Sequence, residues 1–213
     1  MNRKANNITT MSHDFNISND TGWPCSIRDS VSKIGLMTIF YNKTKISPSH
    51  IVFRRERDIF RQEAFFQIQN QSSKLKTLAL IKTDIGLEEY LSAVKNVADR
   101  VSISKLRLSN HCLMIEKGRH TNTEPDKRFC PFCPSLVEDE FHFVIKCPIY
   151  SKLREKLLND VKSIMADFYV PADEMFLFWF LLKCPNISHL TAHFINLAGE
   201  LRSFLISKHK NTW

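Results

Sequence analysis

Glycine is scarce in this 213-residue chain, with five residues against sixteen phenylalanines. That shortage disfavours a β-sandwich punctuated by glycine turns, and it suits helices that pack through aromatic and leucine faces. The expected fold is therefore mostly α. Long apolar runs are missing as well, since the longest, 175–182, falls far short of the ~20 residues needed to span a bilayer. No membrane span is expected. Residues 1–19 are polar throughout and lack the continuous apolar stretch of a secretory signal. An intracellular setting, cytoplasmic or nuclear rather than secreted, follows as the expectation, with the six cysteines reduced and the sequons at Asn7, Asn16, Asn42 and Asn186 unused. No Asp-Asp dipeptide occurs, which argues against a polymerase that holds two metal ions on paired aspartates.

A basic block is also lacking, although the formal net charge is +8. Basic and acidic residues number 6 and 3 over 1–50, 9 and 7 over 51–100, 7 and 6 over 101–150, and 8 and 6 over 151–213. The excess suits a polyanionic partner in sign, but it is spread along the chain.

The apolar residues that are present recur at helical intervals. Residues 1–22, rich in Asn, Ser and Thr, are expected to be a disordered arm, followed by a helical region over 23–120, an insert over 121–150 and a second helical region over 151–213 packing on the first. Within 26–41 a short helix is expected, interrupted or ended by Gly35. Over 49–69, Phe53, Phe60, Ala64 and Ile68 return on one side, with Ser49 a candidate N-cap. Arg54, Arg55, Arg57 and Arg61 could grip phosphates, but the interleaved Glu56, Asp58 and Glu63 favour a solvated, salt-bridged face. Further helices are expected through Leu87, Tyr90, Leu91 and Val94, and over 97–110 with Val101, Ser104, Leu106 and Leu108. Gly118 breaks the pattern. Beyond the insert, Leu153, Leu157, Val161, Ile164 and Phe168 mark one helix that stops before Pro171. A helix from about Asp173 to Cys184, apolar on nearly every side, reads as a buried core element. Ile187, Leu190, Phe194, Leu197, Leu201 and Leu205 mark the last.

The sharpest feature is a Cys-x-x-Cys knuckle, Cys130 and Cys133, followed after eight residues by His142 and after four more by Cys147. A knuckle of this spacing can aim two thiolates at one ion, and the second pair completes a four-ligand set expected to bind one structural Zn2+. The alternative is four unrelated side chains, with the cysteines acting as small hydrophobes. Glu138, Asp139 and Glu140 suit the start of a short helix carrying His142, read as helix-start charge and solvation rather than acid and base catalysis. Pro148 ends that helix and could open the next. A zinc deaminase would need a His-x-Glu upstream and a proline where Phe129 stands, so that chemistry is not expected. A nuclease is disfavoured because Asp173 is not followed by an acidic and lysine pair in a strand context.

Several motifs occur in a specific order: Ile-Ser-Lys-Leu-Arg-Leu-Ser-Asn-His over 103–111, Ile-Glu-Lys-Gly-Arg over 115–119, then the cysteine cluster enclosing Glu-Asp-Glu-Phe-His-Phe and closing on Cys-Pro-Ile-Tyr, with Leu-Arg at 153–154. Over about 23–204 the chain resembles the C-terminal region of animal non-LTR retrotransposon polyproteins, downstream of the reverse transcriptase. The resemblance implies a zinc-binding module associated with nucleic-acid handling, with Cys130, Cys133, His142 and Cys147 as ligands, and a polymerase domain of a parent polyprotein as a possible partner. The expected function is a non-catalytic accessory domain contacting RNA or DNA through Lys105, Arg107, Lys117, Arg119, Lys127 and Arg128. The competing expectation is a structural or protein-interaction helical domain, or a degenerate fragment, in which zinc only pins a loop.

Overall fold

The computed structural model describes residues 29–30, 32–36, 48–70 and 74–210. The arm expected over 1–22 and Cys25 lie outside them. The chain divides into two compact units, Met1–Phe66 and Gln67–Trp213, so the division falls inside the expected 23–120 region and leaves the cysteine insert within the second unit.

In the first unit a helical turn ends at Gly35, whose φ of +70° is the left-handed conformation that a side chain disfavours. Helix α1, Pro48–Gln69, runs across the boundary and begins at the proline, which places Ser49 within the helix. Phe53 and Phe60, expected on a packing face, are 70% and 64% exposed. Periodicity marks a face that can be buried without supplying the surface that buries it. Among the described residues of α1, Ile68, at the end that belongs to the second unit, is the one that enters a core.

The second unit is mostly α-helical, with one small hairpin. It contains α2 (Lys76–Ile81), α3 (Tyr90–Ala93), α4 (Val97–Arg107), α5 (Met114–His120), β1 (Phe129–Cys130), β2 (Cys133–Val137), α6 (Ser151–Ile164), α7 (Glu174–Lys183) and α8 (Ser188–Lys210). The central packing is α8 against α4, with α6 and α7 also on α8. Thr191, Ala192 and Ala198 are fully buried, and their small side chains let α8 approach closely, while Phe194 and Ile195 fill the space beside them. Ile103 and Leu106 answer from α4, whereas Val101 and Leu108 point outward, 43% and 45% exposed. Of the expected α4 face, Leu106 is buried while Val101 and Leu108 are not, so the real face is turned from the expected one. Leu157 and Val161 from α6 and Leu181 and Leu182 from α7 complete the core.

Local chemistry sets the helix ends. The Asn96 side chain accepts from the Asp99 N–H at 3.1 Å, and Asp173 Oδ1 accepts from Met175 and Phe176 at 2.9 and 3.2 Å. At the end of α4, Asn110 N–H reaches back to the Lys105 carbonyl at 2.8 Å while Ser109 adopts φ +49°. This is a Schellman-type stop with serine where glycine usually sits. Helix α6 stops at Ile164, before Phe168 and well short of Pro171.

Two expectations are corrected here. Gly118 does not break a helix but lies inside α5, where a Cβ would come within 2.5 Å of the Arg128 side-chain carbons. Gly118→Ala is thus expected to push the Arg128 stem from its seat and lower stability by about 1–3 kcal/mol in urea unfolding, the overpacking range. Helix α7 is not buried on all sides: Leu177, Phe178, Leu181 and Leu182 face the core, but Met175 and Phe176 remain 47% and 50% exposed. No described helix is long and apolar enough to cross a membrane.

Candidate metal centre

The antiparallel hairpin pairs Cys130 with Cys133 across a two-residue turn, and an irregularity between Phe129 and Cys130 bends the strand there. Both thiols thereby leave the same knuckle. The second pair comes from 138–147. Asp139 Oδ1 accepts from the His142 N–H at 2.6 Å and starts a single wide turn, His142–Lys146, closed by Cys147 N–H on the His142 carbonyl at 2.8 Å. In a regular α-helix, residues five apart stand about 140° around the axis from each other. The wider i to i+5 turn brings Cys147 back beside His142. Pro148 then opens a short 3-10 turn that runs into α6, the double role expected of it.

Four ligand atoms converge as a result. One from each of Cys130, Cys133, His142 and Cys147 lies within 4.8 Å of the others, and the Cys133 and Cys147 sulfurs are 3.9 Å apart. That separation is far too long for a disulfide and close to the ~3.8 Å edge of a tetrahedron with 2.3 Å metal–sulfur bonds. Cys130, Cys133, Cys147, Cys112 and Cys184 are all free thiols. His142 Nε2 is buried with no hydrogen-bond partner, an arrangement that costs free energy unless something else occupies its lone pair. The cluster can hold a metal ion.

In the bare cluster burial keeps the Cys130 and Cys147 thiols protonated, so a bound ion would have to displace their protons. Burial pushes the Cys147 thiol up to about 12, with the neighbouring thiols adding to the effect, and raises Cys130 as well. Burial lowers the His142 pKa and keeps the imidazole neutral, as ligation requires. Among the described residues no cationic side chain bonds the sulfur of Cys130, Cys133 or Cys147 to favour its thiolate. Arg154, the nearest candidate, donates instead to the Val144 and Cys147 carbonyls at 2.7 and 2.8 Å and so holds the backbone of the turn.

Glu138 and Glu140 of the acidic trio beside His142 are buried, which corrects their reading as solvated helix-start charge, while Asp139 is half-buried and keeps that role. Glu138 is 1% exposed and receives two bonds of 2.7 Å from the Arg202 guanidinium, itself 2% exposed, and a third of 2.7 Å from the Met114 N–H. Burial opposes the Arg202 cation, but the Glu138 carboxylate outweighs it and raises the Arg202 pKa. Glu140 accepts from Ser109 Oγ and pairs with His111 Nε2, both at 2.9 Å. Burial works against the Glu140 carboxylate too, and these two partners more than offset it, so its pKa falls. Only Asp139 works as a cap. The Ser109 side chain thus explains why serine tolerates a left-handed backbone at the end of α4. Phe143 and Tyr150 meet edge to face at 4.9 Å, and Phe141 meets Phe178 of α7 at 5.7 Å. The metal segment is therefore fastened to α4, α7 and α8 by buried polar and aromatic contacts.

Arg202 was not singled out in the sequence, although a lone arginine on the otherwise apolar stripe of the last helix was a usable signal. The six basic residues expected to meet phosphate divide into two groups. Arg107 is buried over the Tyr90 ring, ion-paired with Glu88 and bonded to the Leu182 carbonyl at 2.8 Å. Arg128 is 9% exposed and donates to the Ile115 and Thr123 carbonyls at 2.7 and 2.9 Å. Both guanidinium groups are committed to internal partners. Lys105, Lys117, Arg119 and Lys127 are exposed, with Arg119 3.7 Å from Glu116. Comparison with protein-family models, curated proteins and solved structures finds no match for this chain.

Proposed function

We propose that the chain is a non-catalytic accessory domain, of the retroelement-tail type its motifs resemble, in which one structural Zn2+ fastens the hairpin and wide turn to a helical body. The observation that carries this reading is the convergence of three thiols and an orphaned, buried His142 Nε2. Mixed sulfur and nitrogen donors select zinc over hard cations such as Mg2+ and Ca2+. Four protein ligands close the coordination shell and leave no position for a catalytic water. One equivalent of zinc per chain by elemental analysis is the expected result. A chain that folds with sub-stoichiometric zinc, or that takes up iron in its place, would overturn it.

The domain contacts nucleic acid through the cations that remain outward, Lys105, Lys117, Arg119 and Lys127. Single-stranded RNA is the probe of choice, because its affinity should fall with salt at a slope of about −3 for four phosphate contacts, and by about 0.7 less for each lysine replaced by glutamine. Replacing Arg107 or Arg128 should leave that slope unchanged in protein that still folds. A slope near zero would sink the nucleic-acid part of the reading without touching the metal.

A further inference from the structure

The side of α7 that faces away from the core forms one wall of an open groove of about 490 Å3, whose other wall is the connection from α6. Ile164, Met165, Phe168, Tyr169, Phe176 and Phe180 supply its apolar surface, and Asp167 is its single charged residue. Phe168 and Phe180 stack at 5.3 Å and Phe176 and Trp179 at 5.7 Å, so the rings are held in place by one another. Tyr169 and Phe176 are nevertheless 79% and 50% exposed. An apolar surface that is both ordered and open is a candidate contact for a partner.

The charge of the groove selects the partner. Among the described residues Asp167 makes no ion pair and no cation lines the groove, in a chain whose net charge is +8. Phosphates are repelled by such a site, whereas an occupant that carries a cation gains a pairing with the exposed Asp167 that a fully apolar one does not. We propose that this groove docks a protein segment presenting an aromatic or large aliphatic anchor beside a lysine or arginine. The anchor side chain enters between Phe168, Phe176 and Phe180, and the adjacent cation pairs with Asp167 at the rim. The inference does not depend on the zinc assignment or on RNA binding.

Selection of displayed random dodecapeptides on the immobilised full chain tests it. The selected peptides are expected to share an aromatic or leucine anchor with Lys or Arg within a few positions. Phe176→Ser should weaken them about tenfold or more while the zinc content stays at its wild-type value. Asp167→Lys should reverse the charge preference, so that peptides with the basic residue exchanged for glutamate now bind the tighter. Failure to select any peptide, selection of acidic flanks, or equal binding to Phe176→Ser and wild type would each overturn the proposal. So would a concentration-dependent dimer that Phe176→Ser dissolves, which would give the groove to a second copy, or loss of single-stranded RNA binding in the same variant.

Discussion

Replacing Cys133 with serine is expected to abolish stoichiometric zinc and to unfold residues 129–150 while much of the helical body survives. The sulfur of Cys133 lies 3.9 Å from that of Cys147, and the hairpin holding it is only two strands, the shorter of two residues. Such a hairpin is not stable by itself. Structural zinc contributes apparent binding energies of ~10–16 kcal/mol, and that energy is folding energy for the loop that supplies the ligands. A serine hydroxyl is a poor substitute for a thiolate, and the remaining three donors would sit beside an open position. Elemental analysis reads the metal, and hydrogen exchange reads the region. Exchange should rise over 129–150 and remain slow in α4 and α8, whose packing residues Ile103, Leu106, Ala192 and Ala198 are not themselves ligands although Cys130 and Cys147 lie in the same buried cluster. Unchanged zinc content would refute the ligand assignment. Uniform loss of protection throughout the second unit would show that the metal supports the whole unit rather than its own segment.

The second large effect is expected away from the metal. Arg202→Met leaves the Glu138 carboxylate 1% exposed with the Met114 N–H as its remaining partner among the described residues, and removing half of such a buried pair costs about 3–5 kcal/mol. Arg202→Met combined with Glu138→Leu should cost less than Arg202→Met alone. The double change removes the stranded charge and leaves mainly the unpaired Met114 N–H, a loss of about 1–3 kcal/mol. Urea unfolding with zinc held in excess gives the four stabilities of the cycle. A cost under about 1 kcal/mol for Arg202→Met would mean that the pair is dispensable. Because Glu138 lies four residues before His142, the single variant should also weaken zinc binding, whereas the Gly118→Ala change acts through Arg128 without removing a charge partner.

These two predictions show why one run of residues can be read in two ways. The motifs at 103–111 and 115–119, with Lys127 and Arg128, suggest nucleic-acid contact because they carry Lys and Arg. In the folded chain Arg107 serves Glu88 and Leu182, Arg128 serves Ile115 and Thr123, and Ser109 and His111 serve Glu140. A charged residue in a sequence does not reveal whether its partner is solvent, a phosphate or a carboxylate distant along the chain. The 64 residues between Glu138 and Arg202 put that pair beyond any local pattern.

What the sequence determined by itself was whatever depends on neighbours a few positions away. The mostly helical character, the start of a helix near Asp173, the opening of a helix at Pro148 and the clustering of Cys130, Cys133, His142 and Cys147 depend on local geometry, so they were legible from residue types and spacing. Tertiary structure alone decided which faces found a partner. Phe53, Phe60, Phe176 and Val101 stand exposed although their periodicity marked them for burial, while Glu138, Glu140, Arg107 and Arg202 lie inside although their charge marked them for solvent. The reason is that burial is a property of two surfaces meeting, and ion pairs in the interior are stable only when both partners arrive together.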